Sequence, residues 1–226
     1  MFGPDHPLLP IATDGGLLPA PVQSQSIPLS PAERIEVVID FAAYPLGSQV
    51  ILQNQNKSGD MAAAMRFDVT RSAVDDSTVP ATLTTIEPLR PEQAVRERTF
   101  VFGPTLSWAH LPYEWTINGQ TFDPNRIDAA PKLGDVETWH FVNHKLGGIH
   151  GMPHPIHVRL VNFQLLDRKG VKPAAYETGW KDTVNVPEGE EMRVIMRFEG
   201  YKGKYVMHCH NLQHEDCAMM TNFEAV

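Results

Sequence analysis

Only two of the 226 residues are cysteine, Cys209 and Cys217, so no disulfide framework holds this chain together. Positive charge is also scarce: 19 Lys and Arg stand against 27 Asp and Glu, a net charge of −8. That balance argues against a nucleic-acid partner or an anionic membrane surface. No apolar run approaches the roughly 20 residues that a membrane-spanning helix needs, so no membrane partner is expected. The opening stretch, residues 1–16, has neither the basic start nor the continuous apolar segment of a secretory signal. As written, the chain carries no export address; it is cytoplasmic if Met1 is the natural start, exported if that start lies upstream. What the sequence does have is turn-forming residues, 19 Pro and 16 Gly, in a composition 42% hydrophobic and 20% charged. That composition excludes disorder and fibres and suits many short strands joined by turns.

Hydrophobic alternation predicts strands in the first part of the chain at 34–40, with Ile35, Val37 and Ile39 on one face, and at 49–53 and 64–70. Residues 71–97 are polar, hold three prolines and show no sustained period, which reads as an interdomain linker. From Arg98 the strands resume: 98–102, 113–119 with an Asn-Gly turn at 118–119, 135–142, 154–167, 191–198 and 203–209. In the segment 191–198, Met192, Val194, Met196 and Phe198 form one face, and Arg193 and Arg197 the other. Six or seven strands over about 130 residues make one β-sandwich. The first 70 residues hold three or four, too few for an independent core. The expected fold is therefore all-β, one complete sandwich domain over 98–226 plus a partial one over 1–70. The partial unit leaves an open sheet edge and an apolar face, to be covered by the second domain, another chain or sequence outside this one.

Chemistry concentrates in the histidines. Eight of the ten fall between residues 140 and 214, and the densest run, 208–220, reads HCHNLQHEDCAMM. If 205–210 is a strand, Cys209 points to one face and His208 and His210 to the other, so one strand end feeds two metal sites. A thiolate, imidazoles and a weak thioether (Cys209, His214 and Met219) form the donor set of a blue copper centre. The segment HPIHVR, 154–159, supplies the second imidazole in His154, with Pro155 fixing the backbone before a strand that begins at Ile156. Blander readings stand beside these. His157, His208 and His210 suit solvated or hydrogen-bonded imidazoles as well as ligands, and Glu215 and Asp216 suit solvated loop acids. Cys217 reads as a loop or small buried thiol, Met192 and Met196 as core, and His140, His144 and His150 as polar strand and loop residues.

HPIH followed about fifty residues later by HCHxxxHxxxxM, together with GWKDTV (179–184), IATDGGLL (11–18) and LSPAERIEVVIDF (29–41), resembles the C-terminal part of the multicopper oxidases, in particular bacterial laccases and bilirubin oxidases. The resemblance implies cupredoxin-like Greek-key sandwiches, with residues 1–70 the second half of the family's middle domain and 98–226 its C-terminal domain. It makes His154, Cys209 and His214 the equatorial ligands of a type 1 copper with Met219 axial, His157 a type 2 ligand, and His208 and His210 type 3 ligands. Glu215 matches an acid that moves protons there, and Asp182 with Trp180 is expected on the packing or rim near the type 1 site. The implied function is copper-dependent one-electron oxidation of phenolic or similar small substrates, coupled in the family to dioxygen reduction. Two departures bear on it. Arg159 stands where the family motif has a third histidine, and a guanidinium offers no lone pair to a metal. The family's cluster also uses eight histidines, four of them on a first domain outside this sequence, and His6, His110, His140, His144 and His150 form no HxH pair that replaces them. The alternative reading is a mononuclear type 1 copper electron carrier, or an inactive remnant. Self-association does not recover the family's geometry, and a partner carrying the first domain supplies four histidines but still meets Arg159. A second copy or a partner chain is expected only as cover for the incomplete N-terminal half-domain.

Overall fold

The computed structural model describes residues 7–56, 58–106, 114–144 and 152–226, and within them the chain is almost entirely strand and turn. In the N-terminal part, β1 (Leu9–Thr13), β2 (Gly16–Leu17) and β3 (Ile35–Val38) form one antiparallel sheet in the order β2-β1-β3. A separate hairpin pairs β4 (Gln49–Gln53) with β5 (Ala63–Asp68). The three expected strands are there; β1 and β2 are additional, hidden in the sequence by Pro10 and by their brevity. The core between the two sheets is thin. Leu8 and Val50 are buried, while Val37, Ile39, Phe41, Phe67 and Val69 are covered only in part.

The second part is a two-sheet sandwich. One sheet has the order β10-β12-β8-β6-β7 and the other β11-β9-β13-β14. The strands are β6 (Ala94–Thr105), β7 (Glu114–Ile117), β8 (Val136–Asn143), β9 (His154–Val158), β10 (Phe163–Arg168), β11 (Thr183–Val186), β12 (Glu191–Arg197), β13 (Gly203–Cys209) and β14 (Met220–Ala225). One five-residue helix, α1 (Leu212–Asp216), bridges β13 and β14. Met192, Val194, Met196 and Phe198 are wholly buried, as their alternation predicts, among Trp139, Phe141, Phe163 and Phe223. Ile195, on the opposite face, is buried too, because Leu89 and Trp180 cover that side of the sheet. Asn118 and Gly119 both adopt left-handed φ, 54° and 70°, at the expected turn.

Three boundaries differ from expectation, each for a local reason. β6 begins at Ala94 and not at Arg98, running parallel to β8. The polar run there looks like linker, yet Arg98 donates two hydrogen bonds to the buried Glu137 carboxylate at 2.6 and 2.8 Å, which lets a charged stretch enter the sheet. The segment 154–167 is two strands in different sheets, parted where Leu160 takes φ 79°. β9 also starts at His154, with Pro155 already in the ladder opposite Asn185.

The two units meet along β1. The Gly15 amide and the Thr13 hydroxyl both donate to the Trp180 carbonyl at 2.8 Å. Lys181 Nζ lies 3.1 Å from Asp14 and 3.5 Å from Glu33, all three nearly buried. A Cβ on Gly15 would fall 2.6 Å from Trp180 Cβ and 2.8 Å from its carbonyl oxygen. Gly15→Ala therefore lowers the unfolding free energy by about 1–3 kcal/mol, the usual cost of overpacking a close contact. Urea denaturation checks it, and an unchanged midpoint would show that the junction yields freely.

Candidate metal centre

β13 reaches its end at Cys209 while β9 begins at His154, and the two strands are neighbours with Cys209 opposite Ile156 and His208 opposite His157. Backbone bonds close the turn that follows. The His210 amide donates to Pro155 O at 2.7 Å, the Met219 amide to His214 O at 2.8 Å and the Cys209 amide to Met219 O at 3.1 Å. α1 thereby returns His214 to the strand end. Alternation along β13 then separates two groups of donors on its opposite faces.

The first group is His154, Cys209 and His214, all wholly buried. Cys209 Sγ lies 3.6 Å from His154 Nδ1 and 3.5 Å from His214 Nδ1, and the two nitrogens are 3.1 Å apart. A point equidistant from the three donors lies about 2 Å from each, the range of metal–imidazole bonds. Burial, then the neighbouring His214, pushes the His154 pKa down to about 3, and burial alone brings His214 to about 4. Burial pushes the Cys209 thiol up to about 12 against the opposing hydrogen bond from the Asn211 amide, 3.4 Å from Sγ. Two neutral imidazoles and a thiol thus turn two Nδ1 atoms and Sγ toward one point, and the Nε2 atoms of both histidines are buried with no hydrogen-bond partner. A soft divalent or monovalent metal fits this donor set, with loss of the thiol proton on binding.

Aromatic rings wall the group. Trp115 lies over His214 with ring centroids 3.8 Å apart and planes 32° from parallel, and meets His154 edge-on at 5.7 Å. Phe102 adds a contact to His154 at 6.0 Å. Sequence reasoning placed Trp115 in a strand but did not connect it with this site, because no spacing links residue 115 to 154 or 214. Met219 is wholly buried in the same core and is tied to both Cys209 and His214 through its backbone.

The second group is His157, His208 and His210, whose ligand atoms lie within 4.8 Å of one another. His157 Nδ1 faces the Asp182 carbonyl at 2.9 Å and Thr183 Oγ1 at 3.1 Å. A carbonyl only accepts, so Nδ1 carries the proton and Nε2 is left with a free lone pair. His208 is buried with neither ring nitrogen hydrogen-bonded. Burial, then His210, lowers its pKa to about 4, against the pull of Glu215. Glu215 spans both rings, 3.6 Å from His208 Nδ1 and 3.3 Å from His210 Nδ1. Arg159 is exposed just past the end of β9, two residues from His157, and its charge adds to the lowering at His208 and His210.

Asp182 and Trp180 are not at the rim of the Cys209 group. Asp182 belongs to the second group through His157, and Trp180 packs with Leu89, Val136 and Ile195. The reason is the ladder: Thr183 pairs with His157, three residues from Val186 opposite His154, so GWKDTV reaches the far end of β9. His140 lies 3.4 Å from Glu191 on the neighbouring strand, and His144 is exposed. His6, His110 and His150 lie outside the described residues. Cys217 is exposed and free.

A sequence family described as multicopper oxidase matches residues 93–226. The chain is 36% identical to a laccase of Bacillus stratosphericus over 98% of its own length and 47% of the relative's. It is 35% identical to a bilirubin oxidase of Albifimbria verrucaria over 97% and 39%. The solved laccase from Pediococcus acidilactici superposes with a TM-score of 0.84 at 32% identity, covering 98% of this chain and 45% of that one. The chain spans about half the length of the relatives it matches.

Before metal is added, the buried histidines make stability pH-dependent. His154, His208 and His214 resist protonation in the fold, where their pKa values are about 3, 4 and 4, but take up protons in the unfolded chain near pH 6.5. Their contribution is fully present above pH 6.5 and is lost as pH falls toward 4 and then 3. The urea midpoint of the metal-free chain should drop between pH 7.5 and 5, and His214→Gln should flatten that drop. A midpoint independent of pH over this range contradicts the burial argument.

Proposed function

Because the chain belongs to the multicopper oxidase family, we propose that His154, Cys209 and His214, with Met219 as the weak fourth donor, hold a type 1 copper that takes single electrons from a small reducing substrate of the phenol class. Copper binding itself is a property of the family, and the relatives include a laccase and a bilirubin oxidase. The observation that carries the reading is the buried triangle of one sulfur and two nitrogens from neutral imidazoles, with separations of 3.1 to 3.6 Å. Copper bound there supplies a one-electron acceptor.

The residues around it have separate tasks. Cys209 gives up its proton and supplies the thiolate, and the Asn211 amide, 3.4 Å away, steadies the sulfur's negative charge. Trp115 and Phe102 keep water off the imidazoles. Cys209 is bonded through the backbone to His208 and His210, so an electron leaving the sulfur has a short covalent route to the second group. There we propose that His157, His208 and His210 serve as type 2 and type 3 copper ligands, part of the centre at which dioxygen is reduced in the whole protein. The other histidines of that centre come from a segment or subunit outside this sequence. Glu215, within 3.6 Å of both His208 and His210, relays protons for that reduction.

Arg159 favours a second reading. Its fixed charge lies beside the His157 group in place of an imidazole and works against further metal ions there, leaving a mononuclear carrier that passes electrons without reducing dioxygen. One experiment separates the two. The copper-loaded chain is mixed with a phenol under argon and then exposed to air, with visible absorption and dioxygen followed together. Bleaching by the phenol, with recovery and dioxygen uptake in air, supports the oxidase. Bleaching with neither recovery nor uptake supports the carrier. Cys209→Ser should abolish the colour, and a copper-loaded chain that the phenol does not bleach overturns both readings.

A further inference from the structure

The bond that sets the His157 tautomer is connected to the N-terminal unit. Arg34, at the entry to β3, reaches across the junction and grips the Asp182 carboxylate with both guanidinium nitrogens: Nη1 donates to Oδ1 at 2.8 Å and Nη2 to Oδ2 at 2.6 Å. The fork is itself held in place. Nη1 also donates to the Ala32 carbonyl at 2.8 Å, Nη2 to the Asp14 carbonyl at 3.2 Å, and the Arg34 amide donates to Asp14 Oδ1 at 2.6 Å. Asp14 Oδ2 in turn lies 3.4 Å from the amides of both Asp182 and Thr183. The N-terminal unit therefore fixes this turn of chain at the carboxylate and at two successive amides.

From Asp182, whose Oδ1 itself lies 3.5 Å from His157 Nδ1, the connection continues to the imidazole by two hydrogen-bonded routes. The Asp182 carbonyl accepts from His157 Nδ1 at 2.9 Å. The Thr183 hydroxyl donates to Asp182 Oδ1 at 2.8 Å, which commits its proton and turns an oxygen lone pair toward His157 Nδ1, 3.1 Å away. Nδ1 thus faces acceptors on both routes. The arrangement requires the carboxylate to stay where Arg34 holds it; a carboxylate that turned away would release the Thr183 hydroxyl to donate toward His157 instead.

We propose that Arg34 is a positioning residue that acts across the domain junction, through Asp182 and Thr183, to keep the proton of His157 on Nδ1 and its Nε2 lone pair free for a metal. The inference deepens the reading of His157 as a copper ligand and rests on that reading for its consequence, but its readout needs no copper. A merely structural Arg34 would hold the two units together and leave the imidazole tautomer alone. Bidentate charge-assisted pairing makes the grip directional, so a neutral side chain of similar reach does not replace it.

The test is nitrogen-15 spectroscopy of the histidine rings in the full metal-free chain, which reports which ring nitrogen of His157 carries the proton. The wild-type chain should show Nδ1–H. In Arg34→Gln and in Asp182→Asn the ratio of Nδ1–H to Nε2–H should fall by about fivefold or more, the population effect of one neutral hydrogen bond. The double variant should show no further fall, because both substitutions break one route. A wild-type ratio in the single variants, or effects that multiply in the double variant, overturns the proposal. Should Arg34→Gln fail to fold, Asp182→Asn decides by the same ratio. If the tautomer behaves as stated but copper never binds at His157, the positioning role stands and the ligand reading alone fails.

Discussion

Adjacent side chains on a β-strand cannot share a face, and at the end of β13 that rule divides the chemistry of this protein. Cys209 turns inward toward His154 and His214, while His208 and His210 turn to the other side and meet His157. The two groups are as close as neighbouring residues can be, yet each has its own surroundings. The pairing of β13 with β9 repeats the division, because His154 and His157 sit three residues apart and so belong to opposite faces as well. A shift of one residue in this register would exchange the faces and leave a thiol among the second group's imidazoles.

Burial then gives the two groups different characters. Around Cys209, Trp115, Phe102 and the sandwich core bring no counter-charge among the described residues, so the donors are neutral, and Sγ and the two Nδ1 atoms face one another with the Asn211 amide on the sulfur. Buried polar atoms are costly unless something pairs with them, and a cation that takes up a thiolate would satisfy this donor set. The second group is wetter and more crowded with charge. Glu215 attracts protons to His208 and His210, Arg159 repels them, and Asp182 secures His157 from behind. The N-terminal unit joins in at this point, since Asp14, Glu33 and Arg34 meet Lys181 and Asp182 at the junction. The smaller β unit is therefore structurally continuous with the site, although its own core is thin.

Much of this was legible in the residues. Alternation in 191–198 identified a buried face that the structure reproduces residue by residue, and the Asn-Gly turn fell where its chemistry demanded. The histidine and cysteine spacing indicated two donor groups on opposite faces, because a period of two is a local property of any strand. What depended on long-range packing was hidden. Residues 94–97 read as linker until their parallel pairing with β8, secured by Arg98 on Glu137, is known. The segment 154–167 reads as one strand because the left-handed turn at Leu160 has no glycine to announce it. Trp115 carries no spacing to the histidines it covers, and Asp182 reads as a neighbour of Cys209 until the β9–β11 register puts it beside His157.

The central claim is that Cys209 Sγ and the Nδ1 atoms of His154 and His214 bind one metal ion together. Titrating copper(II) into the full chain while recording the visible spectrum and the bound metal tests it most directly. The first equivalent should produce an intense thiolate-to-copper absorption, lost in Cys209→Ser and altered in His154→Ala. Copper uptake with no such band, or a band that survives in Cys209→Ser, would contradict the account.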